Sequence, residues 1–252
     1  MQVDSNKKIA IIGGGVAGAS MAFYLGELGL NVTLFEKKAS LVNGPPFCHL
    51  HAGGNLYREI SDQQCLTLLR QSIEFVDLYP CAIDFRPTVI VVPKEDNGDP
   101  KDLLPRLEKL KLEYQRLIDE NIKNRILGRV EQYYQLFSKE EILKLAKCES
   151  VERPQTFEEW MIPVAKNIDI NSVKFPLIMV QEYGLNIFRL SASVSLSLES
   201  LHNVCVHTNA DVSSIQMSEG IYILEYVKNK KVTKERYDYL INAAGFNSGK
   251  ID

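Results

Sequence analysis

The tightest constraint on what this chain can fold into is a set of three spaced glycines, Gly13-x-Gly15-x-x-Gly18. They follow a short continuous apolar run, Lys8-Ile-Ala-Ile-Ile, of the kind that forms a buried parallel strand covered on both faces. Behind them Ala17, Ala19, Met21, Ala22, Leu25 and Leu28 recur at helical spacing, and Gly29 is placed to stop that helix. Asn31 to Glu36 then reads as a second strand. A glycine turn between strand and helix, inside a unit of about 30 residues, is the context a dinucleotide fingerprint needs. The first glycine permits the tight turn, the second lets backbone approach a pyrophosphate, and the third lets helix and strand pack closely. The helix start at Val16 and Ala17 would present free N–H groups and the positive end of the helix dipole to that anion. Glu36, with Lys37 beside it, closes the second strand, where a carboxylate can accept hydrogen bonds from ribose hydroxyls.

Composition narrows the class. With 45% hydrophobic residues the chain can bury a substantial core. Lys and Arg number 29 against 32 Asp and Glu, and no basic run is interleaved with aromatics, so nucleic acid is not an expected partner. The five cysteines form no CxxC pair; they read as reduced thiols of a cytoplasmic protein, with no metal site. No apolar stretch approaches the roughly 20 residues that span a bilayer, which leaves open a peripheral membrane contact.

Further along, residues 40–56 are rich in Gly, Pro, His and Asn and are expected to lack regular structure. A helix is predicted from about Ser61 to Tyr79, and a strand at Val89 to Val92 between prolines. From Lys101 to Lys147 the chain is heavily charged; Leu103, Leu107, Leu110 and Leu117 fit amphipathic helices, and Ser138-Lys-Glu-Glu141 is a capping box. Trp160 to Val180 reads as strand-like segments broken by Pro163 and Pro176, followed by a helix from Asn186 to Leu201. Val212 to Met217, Ile221 to Val227 and Val232 to Tyr237 form a plausible antiparallel meander, and Tyr239-Leu-Ile-Asn-Ala-Ala-Gly245 is another strand running into a glycine.

The glycine fingerprint does not by itself choose between dinucleotides. The far end of the chain does: a three-stranded meander followed by Asn242-Ala-Ala-Gly-Phe-Asn-Ser248 resembles the second signature of the glutathione-reductase-type FAD fold. By that resemblance, backbone near Ala243, Ala244 and Gly245 approaches the dinucleotide and Val212 lies near the adenine. With both ends matched, the chain resembles the N-terminal portion of the D-amino-acid oxidase superfamily of FAD-dependent oxidoreductases, whose members oxidise amino acids, N-methylated amines, 2-hydroxy acids or glycerol phosphate. His49-Leu-His51-Ala-Gly-Gly54 is similar to the His-Ala-Ala-Gly loop of the dimethylglycine and sarcosine dehydrogenases. In those relatives the loop histidine links covalently to the flavin, which makes His51 the position for such a link; a histidine that only hydrogen-bonds there is the commoner reading. Backbone N–H groups of Ala52, Gly53 and Gly54 can reach the cofactor in either case. Arg58 and Arg189 are the residue type that pairs with a substrate carboxylate, but ion-pair roles are commoner for both.

The resemblance implies an α/β fold: a Rossmann-type parallel sheet with helices on one side and the meander on the other, plus a partial α+β substrate-facing layer. The expected boundaries are 1–84 and 186–252 for the two parts of the FAD-binding domain, and 85–185 for the substrate or insertion domain. The implied activity is oxidation of an amino acid, secondary amine or 2-hydroxy acid by hydride transfer to flavin, with no catalytic residue identifiable. Superfamily members extend well past the second signature while this sequence stops at Asp252. A split or truncated form completed by a second polypeptide is therefore one expectation, and a non-catalytic FAD-binding or interaction module the alternative. A nicotinamide-dependent dehydrogenase would share the first fingerprint without needing the meander and the terminal strand.

Overall fold

The structure, a computed structural model, describes residues 7–44, 47–50 and 60–250. The chain opens with β1 (Lys8–Ile12), α1 (Val16–Glu27) and β2 (Asn31–Phe35). Next come β3 (Phe47–His49), α2 (Asp62–Leu78), β4 (Ile83–Asp84), β5 (Thr88–Pro93) and α3 (Leu104–Glu120). They are followed by β6 (Tyr134–Phe137), α4 (Lys139–Leu145), α5 (Phe157–Asn167), β7 (Val173–Val180) and β8 (Gly184–Asn186). The last stretch holds α6 (Ile187–Glu199), β9 (Val204–His207), β10 (Ala210–Ser218), β11 (Ile221–Lys228), β12 (Lys231–Tyr237), β13 (Tyr239–Asn242) and a 3-10 turn at Gly245–Lys250. Contacts divide the chain into two compact units, Met1–Pro46 with Ile187–Asp252, and Phe47–Asn186.

The first unit is built on a four-stranded parallel sheet in the order β13-β1-β2-β9, in which Ile11 lies between Leu34 and Ile241. A strand in the middle of such a sheet has no solvent face, which is why β1 is apolar almost throughout and Ala10 and Ile11 are fully buried. Ala10, Ile12 and Phe35 pack with Leu224, Tyr226 and Tyr237 of the β10-β11-β12 meander. The strand period turns Ile9, Ile11 and Leu34 the other way. On that side α1 lies against β1, β2 and β9 and packs on α6. The expected α/β arrangement, with helices and meander on opposite faces of a parallel sheet, is thus what the chain forms.

In the second unit β7 runs antiparallel between β5 and β6, and β8 antiparallel between β3 and β4. The heptad-like leucines do their predicted work: α3 buries Leu107, Leu110, Tyr114 and Leu117. Ser138 and Glu141 close the predicted capping box on α4, with Ser138 N–H donating to Glu141 Oε2 at 2.7 Å.

Two expectations are corrected. Within residues 40–56, Phe47–His49 form β3 by pairing with Gly184–Asn186, a contact that local composition cannot signal. Trp160 to Asn167, the start of the stretch expected to be strand-like, belongs instead to the helix Phe157–Asn167. Thr156 and Glu159 make a reciprocal capping box, and Met161, Ile162 and Ala165 are buried. Pro163 sits inside the helix; burial of the apolar face outweighs the single backbone hydrogen bond it removes. Among the described residues, no helix is long and apolar enough to cross a membrane.

Candidate functional site

The glycine fingerprint folds into one wall of a cavity of about 540 Å³ in the first unit. Gly13 has φ +100°, and a Cβ built there would lie 2.5 Å from Ala243 O, so both its conformation and its neighbour demand glycine. A Cβ on Gly18 would meet Gly13 O at 1.9 Å; this glycine lets α1 press onto the turn that precedes it. Gly15 differs, because nothing lies within 4 Å of its absent side chain. The open space in front of Gly15 is where a ligand can approach backbone closely. Gly15 is also the N-cap of α1, makes no side-chain cap hydrogen bond, and is followed by a first turn without an acid, a helix start of the kind that can take an anion.

Glu36 is held directly beside the glycine turn. Its carboxylate is buried and accepts Gly14 N–H on Oε2 at 2.7 Å and Lys38 N–H on Oε1 at 2.8 Å. Each carboxylate oxygen has a second lone pair, so Glu36 can accept ribose hydroxyls without breaking either bond. Its own backbone is fixed as well: Glu36 N–H donates to His207 O, and Ala210 N–H donates to Glu36 O. The His207 ring, tilted against Phe35 and stacked on Tyr226, is pushed below its ordinary pKa, chiefly by burial and then by Lys228.

Another wall is the turn after β13. Ala243 N–H donates to Ile12 O, which sets Ala243 and Ala244 against Gly13. Gly13, Gly15, Glu36, Lys37, Val212, Ala243, Ala244 and Gly245 therefore line one cavity although they come from opposite ends of the chain. Val16 and Ala17 begin α1 directly behind Gly15, and Gly18 lies buried beneath the turn. His51, Ala52, Gly53 and Gly54 lie outside the described residues, as does Arg58. Arg189 is exposed on α6. Sequence reasoning passed over Lys38, Asn43 and Phe246, which also line the cavity; the signals were adjacency to the acidic residue, an Asn in a Gly/Pro-rich turn, and an aromatic directly after the terminal glycine.

The second unit carries a buried polar cluster of its own. Tyr114 hydroxyl donates to Gly128 O at 2.8 Å and accepts Leu127 N–H at 3.0 Å; burial pushes its pKa up to about 12. Tyr133 is buried beside it and also held well above its ordinary value, by burial first and by Glu182 second.

The model of the DAO family, FAD dependent oxidoreductase, matches residues 8–147. The chain belongs to the DAO family of FAD-dependent oxidoreductases. No curated protein matches it. Among solved structures, glycine oxidase from Geobacillus kaustophilus shares the fold at 14% identity and TM-score 0.56, covering 97% of this chain and 57% of that one. L-proline dehydrogenase from P. horikoshii gives 16% identity and TM-score 0.55 over 97% of this chain and 54% of that one. L-alpha-glycerophosphate oxidase from Mycoplasma pneumoniae, with FAD bound, gives 19% identity and TM-score 0.51 over 96% and 54%. The chain thus spans little more than half the length of these DAO-type neighbours. FAD is the cofactor of the family, and the cavity fits it on three counts: open backbone at a helix N-terminus, a buried carboxylate with lone pairs to spare, and a volume in the range of small-molecule sites.

Proposed function

We propose that this chain binds FAD along the cavity of the first unit and forms the flavin-binding part of an oxidoreductase acting on an amino acid, secondary amine or 2-hydroxy acid. The observation that carries the reading is the meeting of Gly13 and Gly15, Glu36 and Ala243–Gly245 around one cavity in a member of the DAO family. Glu36 would take the ribose hydroxyls, and Gly15 with the N–H groups of Val16 and Ala17 the pyrophosphate. Val212 would flank the adenine, and Lys37 would supply positive charge beside it. His51, Ala52, Gly53 and Gly54 are proposed to contact the flavin portion, His51 either by hydrogen bond or by a covalent link. Bound FAD would supply the hydride acceptor, while the protein binds, orients and excludes water around it. The proposed domain assignment is 1–84 with 186–252 for cofactor binding and 85–185 for the substrate. Localisation in the cytoplasm, where five free cysteines persist, a second polypeptide completing the active site and peripheral membrane contact belong to the same proposal.

A second reading is a non-catalytic FAD-binding or interaction module, which would turn over no substrate. A titration of the purified chain with FAD, followed by desalting and a visible spectrum, tests the first step common to both. Retained flavin bands are expected, and Glu36→Ala should weaken binding about 10- to 100-fold, the range for a lost hydrogen bond to a charged group. A chain that retains no flavin would overturn the proposal. Colour remaining in an acid-precipitated pellet supports the covalent link at His51, and colour in the supernatant excludes it. Turnover of amino acids, secondary amines and 2-hydroxy acids by the flavin-loaded chain then separates the enzyme from the module.

A further inference from the structure

We infer that Phe246 is a further cofactor-contacting residue, a ring that closes over the bound dinucleotide beside the glycine turn; the inference rests on the FAD reading above. Phe246 is 91% exposed, yet it lines the cavity together with Gly13, Gly15 and Ala244. An aromatic side chain in that position has no packing reason of its own to stay there. What holds it is the backbone around it. Asn242 Nδ2 donates to Ser248 O at 3.0 Å and Asn242 Oδ1 accepts Ala244 N–H at 3.2 Å. Ser248 Oγ donates to Gly245 O at 2.6 Å, and Asn247 N–H donates to Ala244 O at 3.2 Å. Gly245, at φ +59°, makes the bend from which the ring projects. These bonds fix the backbone from which the Phe246 ring projects at the cavity wall.

The chemistry of the surrounding wall says what such a ring would cover. Gly15 offers open backbone at a helix start, suited to a diphosphate, and such hydrogen bonds strengthen when water is kept away from them. An apolar ring on the exposed side of the same stretch does that, and in doing so loses its own contact with water. A bound dinucleotide therefore satisfies both the polar wall and the unpacked ring at once.

The test is a titration of the whole chain with FAD, followed by flavin fluorescence, for wild type, Phe246→Ala and Phe246→Trp. Phe246→Ala should raise the dissociation constant about tenfold, the effect of removing most of one buried apolar contact. Its thermal midpoint without FAD should stay that of wild type, because the side chain is exposed. Phe246→Trp should keep the wild-type affinity, and the tryptophan emission it adds over that of Trp160 should be quenched as FAD saturates the site. Unchanged affinity in Phe246→Ala, or added emission indifferent to saturating FAD, overturns the inference while the wild-type titration still supports FAD binding. Absence of FAD binding by the wild type removes both.

Discussion

The two units make their distinctive structures from different parts of the chain's chemistry. In the first, the site is written in backbone: Gly13, Gly15 and Gly18 matter for what they lack, and the walls meet through Ala243 N–H on Ile12 O and Gly14 N–H on Glu36. In the second, order comes from side chains, in the leucines of α3, the shared hydroxyl of Tyr114 and the ion pairs of Glu113 with Arg70 and Arg116. Backbone sites tolerate little substitution at a few positions and much elsewhere. Side-chain cores spread their energy over many positions, each replaceable at a moderate cost.

The sharpest way to break that comparison is a single methyl group. Gly18→Ala places a Cβ 1.9 Å from Gly13 O, a backbone atom that cannot rotate away, and should destabilise the first unit by more than about 4 kcal/mol. Gly15→Ala meets nothing within 4 Å and should cost under about 1 kcal/mol, while lowering FAD affinity by occupying the open space. Urea unfolding of the two variants checks the pair. Equal losses would mean that Gly15 is packing rather than ligand space.

In the second unit, Leu107→Ala empties a fully buried position and should cost about 3 kcal/mol by chemical denaturation. Its FAD affinity, measured below the unfolding transition, should remain that of wild type. A parallel loss of affinity would show that the two kinds of structure are coupled.

The same contrast explains what could be read from the residues alone. The fingerprint was legible because the steric demands at Gly13 and Gly18 leave a fixed spacing, and the meander because its strands alternate and their turns carry Gly220 and Asn229. The α3 leucines were legible from period alone. β3 was not, since three residues pair only with a segment more than a hundred positions away. α5 was misread because Pro163 is a strong local signal, whereas the capping box that overrides it joins Thr156 to Glu159 just ahead of the segment taken as strand. Within the site, Lys38 and Asn43 join the cavity only because the chain folds back after β2, where Asn209 N–H donates to Lys38 O and Val42 N–H to Gly14 O. No periodicity announces such contacts.

The smallest expected effect probes the side-chain order through charge. Glu113 accepts from both Arg116 and Arg70, and these guanidinium groups, Arg116 first, bring its carboxyl from an ordinary 4.5 down to about 2. A depressed folded-state pKa means that the unfolded chain takes up the proton first, so the stabilisation is present above about pH 4.5 and is lost as pH falls towards 2. Both arginines are roughly half exposed, so water and salt screen the network and its worth at pH 7 is about 1 kcal/mol rather than what the shift alone would suggest. Glu113→Gln should therefore lower stability by about that amount at pH 7 and flatten the decline between pH 4.5 and 2, with FAD binding at neutral pH unaltered. Denaturation midpoints of the two proteins along that pH range provide the check. Parallel curves would show that the Glu113 pairs hold no net stability, leaving the second unit's order to its apolar core.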